Sequence, residues 1–208
     1  MPDTSNLALF IAAALLIAVT PGPGIFYVAA RTLARGRSAG LASTLGTGLG
    51  GLLHVVAGAA GVSALVMASA EAFALLKIVG AVYLVWLGAK TIRTARVKFL
   101  IETHSANSKS AFRQGVLVEA LNPKTAAFFL AFIPQFIDLA QAVATQFVVL
   151  GLVSVALNTA VDIVVVCAAA RARLGFAKRP AVIQRIREGS GFLMCGLGVS
   201  LLFARRTS

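Results

Sequence analysis

The sequence Thr20-Pro21-Gly22-Pro23-Gly24 interrupts an apolar run that begins at Leu7 and resumes at Ile25. Proline removes a backbone donor from a helix and clashes with the preceding turn, and glycine loosens the backbone further. The stretch therefore predicts a helix that stops and starts again. A second interruption, Asn122-Pro123-Lys124, lies inside another apolar run, and together they predict two broken helices that face each other.

The composition is that of a helical membrane protein. Of the 208 residues, 59% are hydrophobic and only 12% are charged, and the mean hydropathy is +0.90. A typical soluble domain carries about 25% charged residues. Apolar runs of about 20 residues recur between basic segments, which predicts an all-α polytopic protein in a lipid bilayer. The six spans are expected at residues 6–30, 40–68, 72–91, 112–137, 142–170 and 189–204.

The net charge of +12 is placed in the connections between the apolar runs. Lys and Arg occupy the first, third and fifth connections, whereas the second and fourth carry only Glu71 and Asp138. Because basic residues mark the cytoplasmic side, both termini are predicted to be extracytoplasmic. Membrane topology therefore explains the excess of basic residues, and no nucleic-acid partner is expected.

The third connection, about residues 99–111, is the one polar linker of the chain. It divides a single transport domain, residues 1–208, into halves of about 1–98 and 112–208. Three spans precede the linker and three follow it, so the halves must have opposite orientations. This predicts the 3+3 inverted repeat of many secondary transporters, with broken helices in spans 1 and 4.

Both breaks are predicted to lie near the middle of the bilayer. The first follows Leu7 by roughly 20 Å of helix, and the second follows Phe112 by roughly 15 Å. A restarting helix offers amides and a positive dipole end to a carboxylate, and the carbonyls before the break suit an ammonium. Substrate-binding residues are therefore expected at the breaks and on the polar face of the fifth span: Thr20, Pro21, Gly22, Pro23, Gly24, Asn122, Pro123, Lys124 and Asn158.

Three ionisable residues inside the apolar runs are candidates for carrying a coupling proton: Asp162, Glu119 and His54. A charge near the bilayer centre is costly unless it is paired or hydrated, so such residues are functional by default. Glu119 and Lys124 flank the second break and could pair with each other. The alternative for Asp162 and His54 is a structural one, in which a hydrogen-bonded Asp and a neutral His stitch helices together. The small and polar stripe of the second span, which includes Thr47, is interpreted first as a packing face.

At these motifs the chain resembles the lysine exporter (LysE/RhtB) family of amino-acid efflux permeases. The matching segments are the first break, the glycine-rich start of the second span, Lys77–Gly88, and the run from Asn122 to Phe136. The resemblance implies a six-span inner-membrane exporter of amino acids or related small metabolites, driven by the proton-motive force. Glu119 stands where an uncharged residue is expected from the family, which leaves its part in coupling open.

We therefore expect proton antiport of a small zwitterionic solute, without enzymatic activity, cofactor or bound metal. A homo-oligomer is left open. One alternative is a metal-cation exporter of related architecture, and another is a membrane thiol–disulfide enzyme. The enzyme would need a reactive cysteine pair at the breaks, whereas Cys167 and Cys195 lie in later apolar runs.

Overall fold

The structure, a computed structural model, describes residues 4–68, 70–94 and 108–172, and separate positions at 184–185, 188–189, 192, 195–196 and 199. Every regular element in this part of the chain is helical. Most of the expected linker at 99–111 and most of the expected sixth span at 189–204 lie outside the described residues. The elements are α1 (Thr4–Val19), α2 (Pro23–Arg35), α3 (Arg37–Ala68), α4 (Ala70–Arg93), α5 (Ser108–Ala120), α6 (Pro123–Ala127), a π-helical turn (Phe128–Phe132), a 3₁₀ turn (Ile133–Phe136) and α7 (Val143–Ala172).

In the described part of the chain, two helices are long and apolar enough to cross a membrane: Arg37–Gly61 in α3 and Val143–Arg171 in α7. Two bent pairs qualify when each pair counts as one span: Asn6–Val19 with Pro23–Arg35, and Ser108–Ala120 with Pro123–Phe136. These segments correspond to the expected spans 1, 2, 4 and 5, and α4 is helical where span 3 was expected. Only 22% of the apolar window of α7 is buried, so most of its apolar surface is available to lipid.

The first interruption ends α1 at Val19 and restarts the chain at Pro23, with a bend of 49°. Thr20 closes α1, because its backbone N–H and its hydroxyl both donate to the Leu16 carbonyl, at 3.1 and 2.7 Å. Gly22 is the N-cap of α2, and Pro23 occupies the first turn, where a missing N–H costs nothing.

The second interruption has the same plan with a side-chain cap. The bend between α5 and the following helical segment is 41°. Asn122 is the N-cap of α6, and its side-chain oxygen accepts from the Lys124 backbone N–H at 3.1 Å. Pro123 then starts the helix, as prolines commonly do.

Glycines allow α3 to pass close to α5. A Cβ on Gly46 would collide with the Phe112 carbonyl oxygen, and one on Gly50 would lie 2.7 Å from the Val116 carbonyl oxygen. From the other side, a Cβ on Gly115 would lie 2.7 Å from the Ser43 carbonyl oxygen. Backbone therefore meets backbone at this crossing, as in other small-residue interfaces of membrane helices.

We expect Gly46→Ala to destabilise the protein. Overpacking typically costs about 1–3 kcal/mol, which exceeds the gain of about 1 kcal/mol from replacing a helical glycine by alanine. Gly61→Ala is the matched control, since nothing lies within 4 Å of a Cβ at that position of α3. The melting temperature of the purified protein in detergent should fall for Gly46→Ala and stay level or rise for Gly61→Ala. Equal melting temperatures would contradict the close α3–α5 crossing.

The core beside the second break is aromatic. Phe128 stacks on Phe132 with ring centroids 5.2 Å apart, and Phe129 lies 6.1 Å from Phe147 of α7. The π-helical turn widens the backbone at this point, and such turns are rare and frequently occur at functional sites. The consecutive residues Phe128 and Phe129 are both buried, so two large aromatic side chains pack next to the second break.

Candidate functional site

The Ile17 carbonyl, which loses the N–H of residue 21 because that residue is a proline, accepts from the Thr20 N–H at 3.1 Å and also from a lysine of the other break. In a continuous helix, the N–H of residue 21 would bond the carbonyl of Ile17. The Lys124 ammonium donates to this Ile17 carbonyl at 3.1 Å and to the Thr20 carbonyl at 2.8 Å. Lys124 is only 3% exposed, so a buried cation of the chain itself lies on the carbonyl end of α1.

The second break has a corresponding arrangement. Pro123 lacks the N–H that would bond the Glu119 carbonyl, which accepts instead from the Asn122 N–H at 3.0 Å and from Nε2 of His54 in α3 at 2.9 Å. A carbonyl oxygen only accepts, so Nε2 of His54 carries the proton and donates it. His54, a candidate for carrying the coupling proton, does not contact Asp162, since Thr47, the α3 partner of Asp162, lies roughly 10 Å along α3 from His54.

The Glu119 side chain lies against the start of α2. Its carboxylate accepts from the Thr125 hydroxyl at 2.6 Å and from the Asn122 amide at 3.0 Å. A Cβ on Gly24 would lie 2.5 Å from the same carboxylate. Glu119 is 2% exposed, and a carboxylate in this position is favoured by the positive end of the α2 dipole.

The two interruptions therefore touch each other. Lys124 lies against Gly22, where a Cβ would be 3.2 Å from the lysine Cδ, and Glu119 lies against Gly24. Glycine is needed at both positions because the partner side chain occupies the space of a Cβ. Lys124 and Glu119 do not hydrogen-bond each other, since their partners are the carbonyls of α1 for one and Asn122 and Thr125 for the other.

A narrow cavity lies beside this contact. Its empty volume is about 410 Å³ when its open mouth is included. The walls come from α1, α3, α5, α7 and the segment after the second break. The polar side chains that line it are Thr47, Glu119, Lys124, Thr125, Ser154 and Asn158, and the aromatic ones are Phe128 and Phe129. The cavity thus offers an ammonium, a carboxylate and hydrogen-bonding groups in an apolar frame.

Asp162 lies one turn beyond Asn158 on α7 and is fully buried. Its Oδ2 accepts from the Thr47 hydroxyl of α3 at 2.7 Å. Its Oδ1 has no hydrogen-bond partner among the described residues, and the same is true of the Thr44 hydroxyl. A buried aspartate with half of its carboxylate unsatisfied is costly unless something neutralises it.

The expected site residues differ in their burial and in whether they line the cavity. Lys124, Glu119 and Asn158 line the cavity. Thr20, Gly22, Gly24 and Asn122 are buried around the contact between the breaks, whereas Pro21 and Pro123 are partly buried and Pro23 is exposed. Pro21 and Pro123 act on the site through the carbonyls from which they remove the usual helical donor. Sequence reasoning did not assign Thr47, Thr125 or Ser154 to the site, although Thr47 and Ser154 stood on the polar stripes of spans 2 and 5.

The apolar helices and the bent helix pairs are those of a multi-pass helical membrane protein. The chain belongs to the LysE type translocator family, whose model matches residues 15–205. Because the family consists of transporters, it points away from an enzyme.

Similar proteins support this family assignment. The chain is 33% identical to a membrane protein of Vibrio cholerae, over 90% of this chain and 93% of the relative. It is 31% identical to a homoserine/homoserine lactone efflux protein of Salmonella typhimurium, over 91% and 92%. A leucine efflux protein of an Enterobacter species is 27% identical over 70% of this chain and 71% of its own. No solved structure gives a significant match.

Proposed function

We propose that this protein exports an amino acid or a related small zwitterionic metabolite across a bacterial-type inner membrane, by proton antiport. The observation that carries the proposal is the contact between the two breaks, where Lys124 and Glu119 line one cavity. Homoserine and leucine, after which two relatives are named, each carry an ammonium and a carboxylate on one carbon. A cavity with one buried group of each charge suits such a solute.

In the proposed cycle, the charged groups of Lys124 and Glu119 occupy the site while no solute is bound. The Lys124 ammonium lies on the carbonyls at the end of α1, and the Glu119 carboxylate lies at the start of α2. The solute's ammonium would compete for these α1 carbonyls, and its carboxylate would accept from the displaced Lys124. Binding would then bring in one charge of each sign, and each would find a partner at the site, so no unpaired charge is buried at any step.

Two packing relations favour the inverted repeat of halves 1–98 and 112–208. Helix α5, before the second break, packs on α3, and α1, before the first break, packs on α7. The carbonyls of Ile17 and Glu119, which are 102 residues apart, each lose the usual helical donor to a proline, and each accepts from the backbone N–H three residues further on and from a distant side chain. This correspondence fits six spans with both termini extracytoplasmic.

We propose Asp162 as the residue that takes up the coupling proton. It is fully buried, it contacts only the uncharged Thr47 by hydrogen bond within the described residues, and it lies one turn from the cavity residue Asn158. Glu119 is a weaker candidate, since two donors already stabilise its charged form. His54 is held by its bond to the Glu119 carbonyl, which favours the structural alternative for this residue.

Efflux from cells preloaded with amino acids as dipeptides tests the function. Expression of the protein should accelerate the loss of at least one amino acid. Asn158→Leu should slow that efflux about tenfold or more, because a lost hydrogen bond to a charged group is worth about 1.5–3 kcal/mol. Leu121→Ala is the control, since Leu121 lies beside the second break but is 78% exposed. If no amino acid leaves faster, the proposed function is wrong; equal efflux by both variants would place the solute elsewhere.

A further inference from the structure

The contact between α3 and α7 contains two buried oxygen atoms that the solute-binding part of the proposed transport cycle does not use. They are Oδ1 of Asp162 and the hydroxyl oxygen of Thr44, and neither has a hydrogen-bond partner among the described residues. Both side chains are at most 2% exposed. Buried polar atoms are paired in more than nine of ten cases, so two unpaired ones at a single helix contact call for a ligand.

The register of the two helices places these atoms together. Thr44 lies one turn from Thr47, whose hydroxyl bonds Asp162 at 2.7 Å, so both threonines share a face of α3. The contacts along this antiparallel face are Gly40 with Val166, Thr47 with Asp162, Gly48 with Thr159, and Gly51 with Val155. Thr44 lies between the Gly40–Val166 contact and the Thr47–Asp162 contact, opposite the turn of α7 that carries Asp162.

No cationic side chain among the described residues hydrogen-bonds to Asp162 at this place. The described part of the chain has four buried charged side chains: Arg31, Glu119, Lys124 and Asp162. Arg31 bonds Gln114 of α5 and lies 5.4 Å from the Tyr27 ring, while Glu119 and Lys124 offset each other beside the cavity. Asp162 is left with a neutral hydroxyl, although a buried carboxylate needs a cationic partner or a proton.

We propose that Asp162, Thr44 and Thr47 bind a sodium ion between α3 and α7. Carboxylate and hydroxyl oxygens are hard ligands, and a single carboxylate matches a single positive charge better than a divalent ion. Small residues at positions 40 and 48 of α3 bring the helices close, which favours a small alkali ion. Sodium and a proton are alternative ways of neutralising the same carboxylate, so this site adds to the proposed coupling role of Asp162 without depending on the identity of the exported solute.

Binding of radioactive sodium to the purified full-length protein in detergent tests the site directly. The wild-type protein should bind about one ion per chain, and unlabelled sodium should displace the label whereas choline should not. Thr44→Val keeps the side-chain shape and should weaken binding about tenfold or more, since it removes one oxygen ligand. Asp162→Asn should abolish binding.

Ser43→Ala is the matched control, because Ser43 is also fully buried on α3 but donates within its own helix, to the Ala39 carbonyl at 2.9 Å. It should bind sodium like the wild type. Absence of displaceable sodium on the wild-type protein, or wild-type affinity in Thr44→Val, would overturn the site. Because the assay measures binding without transport, either result leaves the efflux test of the proposed function unaffected.

Discussion

Replacing Lys124 by methionine is expected to abolish amino-acid export while the protein stays in the membrane. Methionine keeps an unbranched chain of similar length but donates no hydrogen bond, so the carbonyls of Ile17 and Thr20 lose their partner. Two charge-assisted hydrogen bonds are together worth about 3 kcal/mol or more, which corresponds to at least about a 100-fold loss of efflux. The measurement is the efflux rate from preloaded cells, divided by the amount of protein in the membrane fraction.

Lys90→Met is the matched control. Lys90 is an exposed lysine at the end of α4, 4.9 Å from the Trp86 ring, and its replacement should leave efflux unchanged. A second variant, Glu119→Gln with Lys124→Met, removes both buried charges together. If the single change lowers the amount of protein in the membrane because Glu119 is left without a nearby positive charge, the double variant should restore that amount. It should still fail to export. Export at the wild-type rate by either Lys124 variant would show that this ammonium has no part in transport.

The helix breaks could be predicted from sequence because their cause is local. Pro21 and Pro123 each remove one identified backbone bond, so the positions of both interruptions follow from proline alone. The long apolar helices α3 and α7 were predictable for a similar reason, since their length and hydropathy are properties of one segment. The polar stripes with Thr47 on α3 and Asn158 on α7 were also visible as a helical period.

The partners across the bundle could not be predicted in this way. Lys124 reaches carbonyls 104 and 107 residues away, and Thr47 reaches Asp162 at a separation of 115 residues. Such pairings depend on how the helices pack, and no local sequence pattern predicts them. From the sequence, Lys124 and Glu119 could pair with each other or Glu119 could carry the coupling proton. In the structure each hydrogen-bonds to other partners, Lys124 to carbonyls of the opposite half and Glu119 to residues of its own break. The π-helical turn at Phe128–Phe132 was hidden for another reason: a phenylalanine-rich run has the same apolar pattern in α- and π-helix.

These pairings change how the breaks are understood. Carbonyls at a helix break in a membrane need donors, and at each break a side chain adds to a backbone N–H: Lys124 at the first and His54 at the second. The prolines and glycines are thus one part of the site, because they create acceptors and space. The second part is the set of side chains that use them, and its members are separated widely in the sequence.

Asp162→Asn is expected to separate exchange from net export. Asparagine has nearly the size of aspartate and its amide oxygen can still accept from the Thr47 hydroxyl, so the α3–α7 contact should persist. It cannot take up a proton, however. In proteoliposomes in sodium-free buffer, export driven by an imposed proton gradient should therefore be lost, about 100-fold or more below wild type. Exchange of labelled for unlabelled amino acid across the same membrane needs no net proton movement and should stay within about threefold of wild type.

Asp138→Asn is the control for this pair of measurements. Asp138 lies in the connection before α7, and its side chain accepts from the Ala140 N–H and from Gln141, near the surface. Both assays should be unaffected by its replacement. Gradient-driven export that survives in Asp162→Asn would assign coupling to another group, with Glu119 the next candidate in the cavity wall. Loss of exchange together with net export would instead make Asp162 part of solute binding or of the α3–α7 packing, because a residue that only carries the coupling proton is not needed when the same solute moves in both directions.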